Sequence, residues 1–462
     1  MIVPTSAQAI TVSGTAAPTD TTAGAHSNVN IHMNFSGGQV KDLTVGLPPG
    51  LIGDPNATPL CTVAQLNADD CPDNTRVGSV TANATVTVVV LPVTVDVSGD
   101  LYNLTPQPGE PARFGIVLRP LALPDPLPPV LPNIILQSGV QLRPDFGLNT
   151  VINNIPNSTS GLPTTINSQD ITLFGTAPGT GRPFTRNPTS CGEHTTNFAA
   201  VPYSGSTASG TANFTTTGCE NLDFSPSFTA EVGGPGQTTN GVPTTASTAI
   251  LQDFDEAGLL RAVVWVPPDL NPNATIFFGA PCGQPEFIAG TCPPNTVVGL
   301  ATAASPLLSQ PLIGNVSLVS SGGPLPNLGL DLKGQLHLLL QGSIDISAGN
   351  TVTFGDVPPG LPDIPISRFQ LTFRPSPGLI GTARDICVPP PPTFHADFTG
   401  YNGATTSVDA PATVLGCGPT TPTKAKKCKK AKKKKGKKRA AEAKKKKKKK
   451  SCKKKKKRKK KS

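Results

Sequence analysis

The sequence is poor in aromatic residues and has no long hydrophobic run. Its 462 residues include only 1 Trp, 3 Tyr and 18 Phe. No stretch approaches the roughly 20 apolar residues that span a bilayer, so we predict no transmembrane segment. The chain also lacks a phosphate-binding loop, a G-x-S-x-G turn and an H-E-x-x-H helix. We therefore expect a protein that is not an enzyme and uses no cofactor.

Proline and glycine are abundant by contrast. The 51 Pro and 46 Gly make up about a fifth of the chain. This share lies below the roughly 25 to 30% that is typical of disordered chains without a repeat period. The composition therefore favours turn-rich β structure.

Basic residues are scarce before residue 424 and concentrated after it. The whole chain has 40 Lys and Arg against 29 Asp and Glu, a formal net charge of +11. Residues 424–462 contain 28 basic residues and one acid, Glu442, so this segment carries 28 − 1 = +27. The preceding residues keep 40 − 28 = 12 basic and 29 − 1 = 28 acidic side chains, giving −16. An acidic body therefore precedes a polycationic tail.

The Lys-rich tail, residues 419–462, is predicted to be disordered, because its like charges repel and it has little apolar surface to bury. Its cations should bind polyanions with an affinity that falls with salt. Anionic envelope polymers or lipid head groups are preferred to nucleic acid because the cysteine pattern, described next, indicates a location outside the cytoplasm. No aromatic residue lies in the tail to stack on bases, which removes the usual support for single-strand recognition. We assign this binding to Lys426, Lys427, Lys432, Lys433, Lys444, Lys445, Lys453, Lys454 and Arg458.

The cysteines indicate the compartment. Eight of the ten lie in the body, the closest of these are ten residues apart, and the five His are scattered. This spacing favours disulfides over zinc ligation, and disulfides indicate an oxidising location outside the cytoplasm. The other two, Cys428 and Cys452, lie among lysines that favour the thiolate. These two cysteines could form a bridge, with each other or with another molecule, or they could have no role, and both alternatives stay open.

Two parts of the chain repeat each other. The sequences CPDNTRVGSV (residues 71–80) and CPPNTVVGLA (residues 292–301) agree at six of ten positions, 292 − 71 = 221 residues apart. The sequence LTVGLPPGL (residues 43–51) returns as AVVWVPPDL (residues 262–270). Four cysteines of the first half recur in the second half with similar spacing. The body is therefore a tandem duplication.

The duplication suggests how the cysteines pair, since a bridge copied with its module should keep its spacing. We predict Cys61–Cys71, Cys191–Cys219, Cys282–Cys292 and Cys387–Cys417. Bridges between the two ends of a copy are the open alternative.

The local patterns are those of β-strands and turns. Residues 26–35 alternate apolar and polar side chains, which places His32 on the solvent side. Residues 86–97 are valine-rich and should form two strands separated at Pro92, which cannot donate to a ladder. The sequence LPPG at 47–50 should end a strand in a turn. A short helical turn is expected at 62–66.

These patterns predict an all-β fold: tandem immunoglobulin-like antiparallel β-sandwich modules in two homologous copies, followed by the disordered polybasic tail. We place the first copy at residues 10–230, a linker at 231–244, the second copy at 245–418 and the tail at 419–462. Each copy could be one large sandwich or two small ones. The Pro-rich stretch at 120–132 favours two.

Residues 1–9 end in Ala7-Gln8-Ala9, which resembles the site where a signal peptide is cleaved. We expect these residues to be the remnant of a signal peptide whose start lies upstream. An Ala-rich linker is the alternative.

Two patterns could suggest chemistry. Cys191 precedes Glu193 and His194, but the corresponding Cys387 has neither partner, so a structural disulfide is preferred to a Cys/His nucleophile. Acidic residues cluster in two places and could ligate calcium, although neither cluster has the ligand spacing of a dedicated loop. These clusters are Asp69, Asp70 and Asp73, and Asp253, Asp255 and Glu256.

The sequence LPPGL, followed by PNATP-x-C and CPxNTxVG and by a Lys-rich, Cys-bearing C-terminus, resembles a group of exported repeat proteins from high-GC Gram-positive soil bacteria. The resemblance implies an extracytoplasmic location and no particular activity or site. The second copy departs from it in VPPDL, where the turn glycine is missing.

These observations favour a secreted or cell-surface, non-enzymatic structural or adhesion-type protein, retained on the anionic cell envelope by its polylysine tail. The first alternative is a nucleic-acid-binding protein that uses the same tail. The second is an extracellular carbohydrate-binding module, which only the fold class supports.

Overall fold

The computed structural model describes residues 9–121, 131–347 and 349–418. Three predicted features lie wholly or mostly outside this part of the chain. They are the signal-peptide remnant, the central part of the Pro-rich stretch, and the Lys-rich tail with its nine assigned cations.

The described chain is almost entirely β structure, which confirms the predicted class. The strands of the first copy are β1 (Thr11–Pro18), β2 (Val29–Ser36), β3 (Val40–Leu47), β4 (Ile52–Gly53), β5 (Arg76–Val88), β6 (Leu91–Leu104), β7 (Arg113–Pro120), β8 (Ile134–Leu142), β9 (Leu148–Ile152), β10 (Ser158–Thr159), β11 (Leu162–Leu173), β12 (Thr185–Arg186), β13 (Gly192–Pro202) and β14 (Ala208–Thr216).

The second copy contains a matching set of strands. They are β15 (Ser227–Gly233), β16 (Ala246–Leu251), β17 (Leu259–Trp265), β18 (Leu270–Pro272), β19 (Val297–Ala304), β20 (Leu312–Val319), β21 (Asn327–Lys333), β22 (His337–Asp345), β23 (Thr351–Phe354), β24 (Arg368–Phe373), β25 (Ile380–Thr382), β26 (Thr393–Gly400), β27 (Thr405–Pro411) and β28 (Thr413–Leu415).

Helices are few and short. They are α1 (Val63–Asn67), α2 (Ala274–Phe277) and α3 (Gln284–Ile288), with 3₁₀ turns at Asp73–Thr75, Cys219–Asn221 and Pro294–Thr296. The predicted turn at 62–66 coincides with α1. Thr62 and Gln65 cap this helix reciprocally, each side chain bonding to the backbone N–H of the other.

The two copies share one strand order. In the first copy the order across the main sheet is β1-β2-β11-β5-β6-β7-β8-β9-β3-β13-β14, with β10 beside β11. In the second copy it is β15-β16-β24-β19-β20-β21-β22-β23-β17-β26-β27, with β28 on the free side of β15. The orders match position by position, which supports the duplication inferred from the cysteine motifs.

Each copy forms a single sandwich rather than the two small ones that the Pro-rich stretch favoured. The main sheet curls until its ends approach each other: β1 lies beside β14, and β15 pairs in parallel with β28, which directly follows β27. Side chains on the inner face then meet in one main core per copy. In β2 the alternation predicted from sequence is observed, with Val29, Ile31, Met33 and Phe35 buried.

The boundary between the copies lies earlier than the linker predicted at 231–244. Strand β15 begins at Ser227 and pairs along its length with β16. The predicted linker therefore contains the end of a core strand and the connection to β16. Phe146, from the first copy, belongs to the core of the second copy, so the two sandwiches also pack against each other.

Two turns differ in detail from the turns predicted from the sequence. The hairpin between β5 and β6 turns at Val89 and Val90, and Pro92 lies inside β6 opposite Thr87. At the LPPG turn, Leu51 donates to the Pro48 carbonyl and Gly50 has a φ of 83°. In the second copy Leu270 donates to the Pro267 carbonyl in the same way, although Asp269 has no positive φ. The missing glycine therefore changes the turn type and keeps the turn.

Candidate functional site

The structure contains the four disulfides that the repeat predicted. Their Cα–Cα distances are 5.5 Å for Cys61–Cys71, 5.8 Å for Cys191–Cys219, 5.4 Å for Cys282–Cys292 and 5.6 Å for Cys387–Cys417. These distances fall within the range that a disulfide requires. The pairing is the same in both copies.

The short disulfides each hold a helix against the outer face of a sheet. Cys61–Cys71 encloses α1, whose Leu66 is fully buried in a small core with Tyr102 and Leu104. A Cβ atom on Gly115 of β7 would lie 2.6 Å from Leu66. The helix therefore fits only because the strand below it has no side chain at that point.

The second copy repeats this arrangement with different side chains. Cys282–Cys292 encloses α3, and its Phe287 is buried against Val319. A Cβ atom on Gly329 of β21 would lie 2.4 Å from Val319 and 2.7 Å from Phe287. The short disulfides therefore have a structural role in packing.

The sequence candidates for chemistry are engaged in structural contacts. Cys191 is bonded to Cys219, so it does not offer a free thiol as a nucleophile. The ring of His194 stacks on Phe214 at a centroid distance of 5.3 Å. Asp69, from one acidic cluster, forms a short ion pair with Arg119 on β7.

The second acidic cluster lies where the two copies meet. Glu256 is buried, and its side chain accepts a short hydrogen bond from Ser225. Its backbone carbonyl accepts another from the guanidinium of Arg186, which is 2% exposed. Burial lowers the pKa of Arg186. The Nε and Nη1 atoms of Arg186 have no hydrogen-bond partner among the described residues.

Asp363 is a second buried polar group that connects the copies, through Thr189. The N–H of Thr189 donates to Asp363 Oδ2 at 2.8 Å, and the Thr189 hydroxyl donates to Asp363 Oδ1 at 2.5 Å. The same hydroxyl accepts from the N–H of Gly258 at 3.0 Å. Burial raises the pKa of Asp363, while the two hydrogen bonds from Thr189 oppose this rise. One threonine of the first copy thus satisfies two groups of the second.

A cavity of about 160 Å³ lies inside the first sandwich and reaches the second copy. Its walls include inward side chains of the first sheet, among them Ile31, Leu43, Ile116 and Val140. The second copy contributes Ser305, Leu307, Leu308, Leu312, Leu336, Leu338, Pro362 and Ile364. Among the described residues, no charged side chain lines this space.

The size of the cavity is energetically significant. Protein interiors contain few voids larger than a water molecule. Side chains around an unfilled apolar space lack contacts on one side, which is unfavourable. A large apolar cavity with a few polar groups is the usual form of a small-molecule site.

A second apolar cavity, of about 60 Å³, lies inside the second sandwich. Its walls include Ile250, Ala262 and Phe354 from the inner face of that sheet. The two cavities have six wall residues in common, which are Ser305, Leu308, Leu312, Leu338, Pro362 and Ile364. The interiors of the two sandwiches are therefore separated only by side chains that line both spaces.

Four polar side chains line the larger cavity: Ser138, Thr150, Thr185 and Ser305. Three of them have protein partners. Thr150 donates to the Val45 carbonyl at 3.2 Å, Thr185 donates to the Ser27 carbonyl at 2.6 Å, and Ser305 Oγ accepts from the N–H of Leu307 at 3.2 Å. The hydroxyl of Ser138, on β8, is buried and has no hydrogen-bond partner among the described residues. Of these four hydroxyl groups, that of Ser138 is thus the one without any hydrogen-bond partner among the described residues.

Sequence reasoning identified the disulfides but missed the cavity and the polar groups at the junction. The cavity walls alternate apolar and polar residues like any core strand, so no local pattern marks them. The wall residues contributed by the second copy lie mostly in connections between strands, such as Leu307 and Pro362. Their convergence depends on how the two sandwiches pack.

Within the described ranges, no helix is long and apolar enough to cross a membrane. In the same ranges, no group of three or more His, Cys, Asp or Glu side chains is placed to hold a metal ion. In the first acidic cluster Asp69 pairs with Arg119, and in the second the backbone carbonyl of Glu256 accepts from Arg186.

No protein-family model and no curated protein matches the chain. Among solved structures, the chain is similar to a Corynebacterium diphtheriae protein described as membrane-anchored, with 8% identity over 88% of this chain and 94% of that chain and a TM-score of 0.20. It is also similar to the type II cohesin dyad of the adaptor ScaA scaffoldin of Acetivibrio cellulolyticus, with 10% identity over 88% of this chain and 99% of that chain and a TM-score of 0.16. At these TM-scores neither similarity supports an inference about function.

Proposed function

We propose that this protein is a non-enzymatic surface protein that works outside the cytoplasm and is retained on anionic envelope polymers or lipid head groups by its Lys-rich tail. The observation that carries the proposal is the separation of charge along the chain. The tail carries 28 − 1 = +27, whereas the preceding residues carry 12 − 28 = −16. A segment of this charge density binds polyanions by releasing their counterions.

The disulfides support the extracytoplasmic location. Each copy has one bridge over 10 residues and one over 28 or 30 residues. Such bridges persist in oxidising compartments and are rare in the cytosol. The polyanions available to the tail are then envelope polymers and lipid head groups rather than nucleic acid.

The test uses two full-length variants expressed in the host. One replaces every lysine of residues 424–462 with serine, and the matched control replaces them with arginine. The serine variant should appear in the culture medium, while the wild type and the arginine variant stay with the cells. Washing intact cells with increasing salt should release the wild type, because the attraction is electrostatic.

Retention of the serine variant on the cells would contradict the proposal. Recovery of the wild type in the cytoplasm, bound to nucleic acid and with free thiols in the body, would instead favour a nucleic-acid-binding protein. Thiol alkylation of protein taken directly from the host distinguishes these two results.

A further inference from the structure

We propose that the two apolar cavities together bind one unbranched acyl chain, and that the hydroxyl of Ser138 donates a hydrogen bond to an oxygen of that ligand. The inference goes beyond the retention by the tail and does not depend on it. The class of ligand follows from the lining, the shape and the polar group of the site.

The lining of the larger cavity favours a ligand whose buried part is apolar and uncharged. The wall of the larger cavity includes Ile31, Leu43, Ile116 and Val140, and within the part of the chain that the structure describes no Asp, Glu, Lys or Arg side chain reaches it. A charged group placed inside would lose its hydration without gaining a partner. Hydrocarbon would instead recover the contacts that an empty apolar space lacks.

The placement of the two cavities side by side favours a chain rather than a compact ring system. The larger cavity extends from the inner face of the first sheet to Leu312 and Leu338 of the second copy. The smaller cavity continues from these side chains to Ile250 and Phe354. A flexible, unbranched hydrocarbon fits two adjoining spaces, one in each sandwich, that have six wall residues in common.

Ser138 selects a ligand that carries oxygen. It is 3% exposed, and the other three polar side chains of the wall already have partners. A buried donor without a partner is unfavourable, and an ester oxygen or an oxygen of a protonated carboxyl group would satisfy it without placing a charge in the cavity. The rest of an acyl chain then occupies the apolar walls.

Two hydrogen bonds between the copies flank this site. Asn56 donates to the Pro306 carbonyl at 2.8 Å, and Gln335 donates to the Pro111 carbonyl at 3.0 Å. Pro111 and Leu336 are half-buried wall residues next to these bonds, so this rim is where an acyl chain would enter. The site is complete only when both copies are present.

The probe for the test is parinaric acid, an 18-carbon fatty acid whose fluorescence rises in an apolar environment. The full-length protein should bind it saturably. Straight-chain fatty acids should displace it, with up to about fourfold higher affinity for each added methylene until the cavity is filled. Absence of saturable binding by the wild type, or displacement that does not depend on chain length, would overturn the proposal.

Matched variants on β20 locate the ligand. Leu312 is buried and lines both cavities, whereas the neighbouring Ile313 is 56% exposed on the opposite face. Leu312→Trp should weaken parinarate binding at least tenfold, and Ile313→Trp should leave it unchanged. Equal binding by both variants would refute the location. A thermal melt of each variant shows whether it is folded.

Ser138→Ala provides a test that does not rely on a bulky substitution. It should weaken binding of parinarate several-fold but leave unchanged the binding of diphenylhexatriene, a rod-shaped hydrocarbon without oxygen. Equal effects on the two probes would show that Ser138 has no role in recognising the ligand oxygen.

The source of the chain is distinguished by offering parinarate in two forms, as the free acid and esterified in phosphatidylglycerol vesicles. Uptake of the free acid alone identifies a fatty-acid site, and uptake from the vesicles identifies a site for lipid acyl chains. Failure with both forms overturns the proposal.

Discussion

Hydrogen bonds of individual buried side chains connect the two copies of this protein. Thr189 is fully buried and bonds to Asp363 and Gly258 of the second copy. Gly50 lies beside it, since a Cβ atom there would come 2.6 Å from Asp363. At the residue scale, the hydroxyl of Thr189 therefore satisfies buried polar groups on the second copy's side of the junction.

Thr189→Val keeps the shape of the side chain and removes the hydroxyl. The N–H of Gly258 and one oxygen of Asp363 then lose a hydrogen-bond partner while they remain buried. We expect the free energy of unfolding to fall by about 1 to 3 kcal/mol, measured by chemical denaturation. Thr211→Val, at an exposed position on β14, is the control and should change it by less than about 0.5 kcal/mol. Equal losses for the two variants would contradict the role of the Thr189 hydroxyl.

His395, on β26, should make stability depend on pH. Its ring nitrogens lie 2.7 Å from Asp409 and 3.1 Å from Asp397, and the hydrogen bond to Asp409 is the main reason its pKa is raised. A raised pKa in the folded state means that protonation stabilises the fold. This stabilisation is complete below the unfolded-state pKa of about 6.5 and disappears as pH rises through the folded-state pKa.

His395→Gln removes this titration. The wild type should exceed the variant in unfolding free energy at pH 5.5, by less than about 1 kcal/mol because the site is exposed. The difference should shrink as pH rises towards 9. Denaturation curves at both pH values check the prediction, and a difference that grew with pH would reverse the assigned sign.

At the scale of elements, each copy carries the same accessory unit: a short helix, a disulfide of ten residues and a glycine in the strand below. The helix side chain differs, Leu66 in the first copy and Phe287 in the second, but the glycines Gly115 and Gly329 occupy matching strands. The duplication has therefore preserved the geometry of contact rather than the side chain that makes it.

Gly329→Ala should destabilise the second copy. The added Cβ atom would lie 2.4 Å from Val319 and 2.7 Å from Phe287, both buried. We expect a loss of about 1 to 3 kcal/mol in unfolding free energy, because a packed core does not accommodate an extra carbon without displacement. Gly38→Ala is the control, since its Cβ atom would lie 3.7 Å from Ile10, an ordinary contact. A Gly329→Ala protein as stable as the control would show that the helix is not closely packed on the strand.

The elements also show what sequence patterns can and cannot predict. The alternation in β2 and the helical turn at α1 follow from residues that are close in sequence, whereas the cysteine pairs follow from the repeat, and all were predictable. The turn between β5 and β6 was predicted too late in the chain. Pro92 was expected to lie outside a strand because it cannot donate to a ladder, but it occupies a paired position near the start of β6. Most Gly and Pro residues of the predicted linker at 231–244 lie in the connection between β15 and β16, so this composition marks a turn within the second copy.

At the scale of the molecule, the two sandwiches form one body. Phe146 of the first copy belongs to the second core, Thr189 and Arg186 bond across the junction, and the two cavities have common walls. These contacts join residues about 70 to 170 positions apart. No local pattern in the sequence encodes them, which is why the candidate cavity could not be predicted while the cysteine framework could.

The shared junction predicts cooperative unfolding of the whole body. Differential scanning calorimetry of the oxidised protein should give one transition rather than two, and Thr189→Val should shift the entire transition to lower temperature. Two resolved transitions, of which only one responded to this substitution, would mean that the copies unfold independently.

The most direct test of the central claim, an oxidised two-copy body outside the cytoplasm, is disulfide mapping of the full-length protein isolated from its host. Free thiols are alkylated on lysis, and peptides are then compared by mass spectrometry with and without reduction. The account predicts the intrachain pairs Cys61–Cys71, Cys191–Cys219, Cys282–Cys292 and Cys387–Cys417. Alkylated cysteines at these positions, or bridges between the two ends of a copy, would contradict it.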